Sequence, residues 1–188
     1  EPLGAYYAAK AFCDIAQTPA KELSTYKTET IDGFVGTMYA FTDYNERIKN
    51  DPDTFTYYIP STEYTATYYT TDFKVDEQFA QFHSIFVDQP ASGAYSTFMG
   101  GDRKIVKIET ANKNGRKLCI FKDSYGNAEV PFYVDSFEEI YVCDIRYFDL
   151  YAPDFIKENG ITDVLFTMCT FSAVGENAEG IKNNLLSE

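Results

Sequence analysis

Tryptophan is absent, and histidine occurs once, as His83, in a chain of 188 residues. A serine or cysteine nucleophile here has at most one imidazole within the chain to act as its base. The four cysteines are scattered, with no Cys-x-x-Cys spacing. The ligand pattern of a zinc site is therefore missing, and no metal or cofactor is expected. Cys119, Cys143 and Cys169 lie in apolar, strand-like runs, and Cys13 in an apolar helical pattern. Buried free thiols, which behave as small hydrophobes, explain all four. Positive charge is also scarce: 16 Lys and Arg against 29 Asp and Glu give a formal net charge of −13. Repulsion at that charge opposes a nucleic-acid backbone or an anionic membrane surface as partner. No apolar run approaches the roughly 20 residues of a membrane-spanning helix, and no signal peptide is visible. Glu1-Pro2-Leu3-Gly4 opens directly into a helical pattern. The chain therefore reads as a piece of a longer protein, and the missing leader carries no information about location.

Aromatic residues are plentiful instead, with 16 Tyr and 16 Phe. The length suits one domain with a sizeable core, taken as residues 1–188. Leu3, Tyr7, Ala11 and Ile15 share the apolar face of an expected first helix over residues 3–17, which Pro19 ends. From about Tyr26 to Tyr69, runs rich in Thr, Tyr, Phe and Val are broken by Asp32-Gly33, Asp51-Pro52 and Pro60. They read as short strands and turns, most clearly at Thr54–Ile59 and Thr65–Tyr69. Through residues 72–112 the pattern is mixed. Phe79, Phe82, Ile85 and Phe86 fit helix or strand, Gly100-Gly101-Asp102 forces a turn, and Lys104 to Thr110 alternates like a strand. About 26–98 is read as a β-rich insertion.

From Lys117 onward the pattern sharpens. Leu118–Phe121, Ile140–Cys143 and Val164–Cys169 are near-continuous apolar runs, as expected of strands buried on both faces. Helix-compatible segments lie between them at Asn127–Val134 and Pro153–Asn159, with Gly160 as C-cap. A last helix is expected over about Asn177 to Leu186. Strand centres at Ile120, Val142 and Leu165 are 22 and 23 residues apart, which fits two right-handed βαβ crossovers. The fold class expected is α/β, a doubly wound, mostly parallel sheet with the β-rich insertion in its N-terminal half. Ligands in such sheets bind beyond the carboxyl ends of the strands. Asp123-Ser124, Asp144-Ile145-Arg146-Tyr147 and Thr170-Phe171-Ser172 are then the rim loops of one cleft.

The run Lys117 to Asn127 carries the chemistry. A serine at the carboxyl end of a buried strand, just before a helix, is where many hydrolases hold a nucleophile. The sharp turn exposes its hydroxyl, and the helix N-terminus offers N–H groups to an oxyanion. Asp123 and Ser124 serve equally well there as helix caps. Asn127 has two readings, an oxyanion donor or a solvated first-turn residue. Arg146 also has two: it holds an anionic or carbonyl group of a substrate, or it pairs with Asp144 or Asp149. His83, among Phe79, Phe82 and Phe86, reads more readily as a packed or surface residue than as a base. The tyrosines of 54–71 suit stacking on sugar rings and also suit the pleated surface of a strand.

The string from Lys117 to Asn127, then Val130-Pro131-Phe132, then Glu139 to Phe148 (with Asp144-Ile145-Arg146-Tyr147), resembles the DHHW family of bacterial envelope-associated proteins. Pro2-Leu3-Gly4-Ala5-Tyr6-Tyr7-Ala8 fits the segment that follows the Asp-His-His-Trp motif in that family, and Gly100-Gly101-Asp102 matches a further block. The resemblance spans nearly the whole chain and is loosest over residues 20–98. The family is similar in layout to SGNH hydrolases and alginate O-acetyltransferases, which carry an Asp-x-His motif upstream of a serine nucleophile. The resemblance thus implies an SGNH-hydrolase-like fold, Ser124 as nucleophile, and an Asp and a His lying before Glu1. The Ser124 N–H, with Asn127 or an N–H of Gly100 or Gly101, would meet the oxyanion; from their position at a strand end, Arg146 and Tyr147 would face substrate. The implied activity is that of a serine esterase or O-acyltransferase on acyl groups of an envelope or extracellular glycan. It would work outside a bacterium or at its surface. The alternative is a catalytically inactive surface protein that binds glycan or protein through its aromatic middle segment.

Overall fold

The computed structural model describes residues 1–186; residues 187 and 188 lie outside the described part. Helix α1 (Pro2–Ala16) is followed by strand β1 (Lys27–Phe34), which pairs antiparallel with β2 (Asp53–Ile59) in a two-stranded ribbon. Two one-turn helices, α2 (Met38–Phe41) and α3 (Glu46–Lys49), lie in the connection. Asp32-Gly33 does not end β1: it forms a bulge where the register shifts, and β1 continues to Phe34.

The main sheet contains β3 (Tyr64–Tyr69), β4 (Ile105–Thr110), β5 (Lys117–Lys122), β6 (Glu139–Asp144) and β7 (Asp163–Thr167), in the order β3-β4-β6-β5-β7. β5 is parallel to both β6 and β7, whereas β4 is antiparallel to β6 and β3 antiparallel to β4. The sheet is therefore mixed, and the expectation of a mostly parallel sheet holds only for β6-β5-β7. Parallel neighbours need a crossover long enough to carry the chain back. The connections after β5 and β6 hold helices α4 (Val130–Tyr133) and α5 (Ala152–Glu158), which serve as such crossovers. The expected continuous helix from Asn127 is instead a 3-10 turn, Ser124–Ala128, followed by α4. Two further helices close the chain, α6 (Thr170–Val174) and α7 (Glu176–Leu186).

Alternation along the strands divides the core. Leu118 and Ile120 of β5, with Ile140 and Val142 of β6, pack under α1 and α4. Cys119, Phe121, Tyr141 and Cys143 face the other way, against Ala152 and Phe155 of α5 and half-buried Ile181 and Leu185 of α7. All four cysteines are free thiols, with Cys169 half-buried. Among the described residues no helix is long and apolar enough to cross a membrane.

Two local expectations are corrected. α1 buries Pro2, Tyr6, Ala9 and Cys13, while Leu3, Tyr7 and Ile15 are 42%, 63% and 83% exposed. A helix this rich in apolar residues carries two stripes of identical spacing, and periodicity does not say which one meets the core. The Tyr6 ring, edge-on to Phe132 at 5.4 Å, shows which one does. The second correction concerns β7. β5 and β6 are buried almost throughout, but β7 alternates between half-buried and exposed positions. It stands at an edge of the sheet, where nothing among the described residues covers it.

α1 also fixes a direction that matters below. Near its C-terminus the Ala16 carbonyl accepts from Arg116, which immediately precedes β5. Near its N-terminus Ala5 packs with Ala128, at the end of the turn that follows β5. α1 thus runs antiparallel to β5, and its N-terminus sits at the level of Ser124.

Candidate active site

β5 delivers Ser124 to the carboxyl end of the parallel strands, where the chain order reverses: β6 lies on one side of β5 and β7 on the other. Such switch points open a crevice above the sheet. The strand passes directly into the Ser124–Ala128 turn, and Asp123 is its cap, with Oδ1 accepting from the Tyr125 N–H at 2.9 Å. Ser124 takes part through its backbone carbonyl, which accepts from the Tyr95 hydroxyl at 2.7 Å; its half-buried Oγ has no partner among the described residues. The other Asp123 oxygen, Oδ2, accepts from the Cys169 N–H at 3.1 Å and from Ser172 Oγ at 2.7 Å, tying the turn to the start of α6. Burial opposes the Asp123 charge, but these hydrogen bonds outweigh it and hold its pKa below the ordinary carboxylate value. The turn needs glycine at 126. A Cβ there would come within 2.6 Å of Lys122 Cβ and 3.0 Å of Thr167 Cγ2.

A charged network lies beside this turn. Lys122, the last residue of β5, is fully buried with Nζ 2.8 Å from Asp144 Oδ2, at the end of β6. Arg146 clasps Asp144 through Nε at 2.8 Å and Nη2 at 2.6 Å, and reaches Asp102 Oδ2 at 2.8 Å. Asp102 Oδ1 accepts from Asn127 Nδ2 at 3.0 Å. Two cations and two anions thus compensate each other, as buried charges require. Burial pushes the Asp144 pKa up, but Arg146 and Lys122 pull it down further, to a net value below normal. The hydrogen bond to Asp144 raises the Arg146 pKa. Gly100 and Gly101 enter Asp102 with φ of +71° and +101°, and a Cβ on Gly100 would meet Arg103 Nη2 at 2.7 Å.

The residues singled out from the sequence therefore gather at one rim: Ser124 on the turn, Asn127 at its base, the Gly100-Gly101-Asp102 loop bound to Asn127, and Arg146 across the network. Of the two readings of Arg146, pairing with Asp144 is present, and its second partner is Asp102, not Asp149. Tyr147 is 45% exposed, with the Arg146 guanidinium 5.5 Å from its ring centre. His83 does not join them. It is exposed on the outer side of β3, where its carbonyl accepts from Ala66, four strand positions from β5, or roughly 19 Å at about 4.8 Å per strand. Nor is any tyrosine of 54–71 exposed. Tyr68 is buried, and Tyr57, Tyr58, Tyr64 and Tyr69 are half-buried, the first two packed on Phe86 and Phe132.

Lys122, Asp102 and Glu129 were not singled out as site residues. Glu129 is buried at the end of the turn and accepts from the Tyr133 hydroxyl at 3.0 Å and Thr167 Oγ1 at 2.7 Å; burial raises its pKa despite both bonds. One signal was available for Lys122: Lys122 and Asp144 each end an apolar run, and they are in register on neighbouring strands.

The family model described as DHHW protein matches residues 1–143. The chain belongs to the DHHW family. Its 188 residues match a DHHW family protein from Eubacterium siraeum DSM 15702, known from a crystal structure, at 92% identity and a TM-score of 0.96, covering 100% of this chain and 62% of that one. Bacillus cereus PatB1, solved with a sulfonyl adduct, is 18% identical with a TM-score of 0.64, covering 94% of this DHHW chain and 60% of its own. A second PatB1 structure matches at 19% identity and a TM-score of 0.58. The likeness to PatB1 is one of fold alone. The DHHW chain spans between 60% and 62% of the length of these solved relatives. No curated protein matches it.

Proposed function

We propose that Ser124 is the nucleophile of an SGNH-like serine esterase or O-acyltransferase acting on acyl groups of an envelope or extracellular glycan. The observation that carries this reading is the uncommitted Ser124 hydroxyl at the carboxyl end of β5, with Asp123 performing the capping that a serine there would otherwise do. In the proposed step, Ser124 Oγ attacks the acyl carbonyl carbon. Its proton passes to an imidazole supplied from outside residues 1–188 and oriented by an aspartate. The carbonyl oxygen gathers negative charge. It is met by the Ser124 N–H and by the second hydrogen of Asn127 Nδ2 or an N–H of Gly100 or Gly101. The sugar oxygen departs and takes the proton back, leaving an acyl-serine. Water resolves it in an esterase, a second hydroxyl in a transferase. Tyr147 offers an exposed ring to the sugar, and Arg146 braces the rim beneath it. Bacillus cereus PatB1, which shares the fold, was solved in one structure with a sulfonyl adduct. On this reading the protein works outside the bacterial cell or at its surface.

Fluorophosphonate labelling, read by intact mass on the polypeptide with its natural upstream residues, tests the proposal. A single adduct that disappears in Ser124→Ala is expected. Residues 1–188 alone should label far more slowly, since a positioned base contributes about 10²–10⁴ in rate. Absence of an adduct on the folded, extended protein overturns the reading.

A further inference from the structure

The two edges of the five-stranded sheet are finished differently. Along β3 the segment after it closes the edge: the Ala66 N–H donates to the His83 carbonyl at 2.9 Å, the Asp76 N–H donates to the Tyr68 carbonyl at 2.9 Å, and Tyr69 bridges to Val75. β7 has no such cover among the described residues. Just before it, the Thr162 N–H donates to the Lys117 carbonyl at 2.9 Å. Alternation then turns the N–H and C=O groups of Asp163, Leu165 and Thr167 outward, away from β5. On one face Val164 and Phe166 are 38% and 45% exposed. Strands that end a sheet in solvent carry lysine, proline or a bulge to discourage pairing. β7 has none of these; Val164-Leu165-Phe166 is the composition of an interior strand.

We infer that a further strand of the same polypeptide, from outside residues 1–188, adds to the free edge of β7 and lays apolar side chains over Val164 and Phe166. Two observations favour this occupant over a second copy of the chain. The matched region fills only 62% and 60% of the two solved relatives, so each has more than a third of its length beyond it. The direction of α1 also fits. A strand parallel to β7 ends at the rim that carries Ser124, and α1 starts at that same rim and runs back along the sheet. Strand, rim loop and α1 then form one βα unit whose loop crosses beside Ser124, where the proposed reaction requires a base. The placement of that loop rests on the function proposed above; the added strand does not.

Hydrogen exchange on the full-length protein, resolved at Asp163, Leu165 and Thr167, tests the strand. The expected result is that these three amides exchange about 100-fold or more slowly than open ones, at the level of the β5 core, in a protein that sediments as a monomer. A Phe166→Lys variant should lose that protection at β7 while Leu118 and Ile120 keep theirs. Fast exchange at β7 in the folded full-length protein overturns the inference. So does slow exchange that vanishes on dilution with a change from dimer to monomer mass, because the cover is then a second copy. Fluorophosphonate labelling of the same samples separates the two proposals: protected β7 amides without labelling leave the strand standing and remove the chemistry.

Discussion

β5 and β7 are neighbours, run in the same direction and read alike as short apolar strings, yet β5 is sealed and β7 is half open. The difference lies in what each strand is surrounded by. β5 has β6 and β7 at its sides, α1 and α4 on one face and α5 on the other. β7 has β5 on one side and, among the described residues, nothing on the other. An apolar run states that a segment avoids water; it does not state which neighbour keeps the water out. The end of β5 shows the same lesson in polar form, since Lys122 is tolerated at full burial only because Asp144, 22 positions later, ends the adjacent strand in register.

The largest effect expected is at that pair. Asp144→Ala leaves Lys122 buried without its main counter-charge and should destabilise by about 3–5 kcal/mol in urea denaturation, whereas Lys122→Met combined with Asp144→Leu should recover most of the loss. A single variant as mild as an ordinary surface change would show that the network is not what closes the top of β5 and β6.

Truncation compares the two strands directly. Ile120→Ala in β5 should cost about 2–5 kcal/mol. Val164→Ala in β7, within residues 1–188, should fall within about 0.5 kcal/mol, as at other surface positions. In the full-length protein the Val164→Ala cost should rise well above that if β7 gains a neighbour.

A smaller, pH-dependent effect is expected where Glu129 links the turn after β5 to Thr167 at the end of β7. Burial raises its folded-state pKa above the unfolded value. The folded state therefore holds the proton more tightly. That contribution is complete below the unfolded pKa of about 4.3 and is lost as pH rises through the raised folded value. Asp123 and Asp144 act oppositely, since their lowered pKa values contribute stability above about 3.9 that is lost as pH falls. Stability measured against pH should therefore decline on the alkaline side of about 4.3 in the natural sequence and decline less in Glu129→Gln. Equal slopes would show that Glu129 is charged when folded. The smallest change expected is Ser124→Ala, within about 0.5 kcal/mol of the natural stability, because its hydroxyl holds nothing in place.

Much of the parallel part of the fold was legible. Apolar runs centred on Ile120, Val142 and Leu165, separated by crossover-length segments, are a local pattern, and β5, β6 and β7 follow it closely. The position of Ser124 at the end of β5 was legible for the same reason, because strand and turn are contiguous. β4 was legible as a strand but not as an antiparallel one, since direction depends on which neighbour it meets. The buried face of α1 was hidden because Leu3, Tyr7 and Ile15 repeat with the same period as Tyr6, Ala9 and Cys13. Pairing of Arg146 with Asp144 was one legible reading, but the rest of the rim network was hidden because Asp102, Lys122 with Asn127, and Asp144 with Arg146 come from three separate segments.

The sequence by itself determined where the chain changes from strand to turn to helix around Ser124, because hydrophobic period, capping residues and the glycine at 126 act over a few neighbouring positions. Only the tertiary structure decided that Asp123, not Ser124, takes the capping bonds. It alone joined Arg146 to both Asp144 and Asp102, and left β7 with an open edge. Those outcomes depend on distances between residues far apart in the chain, which the packing of the sheet and its helices sets and no local pattern encodes.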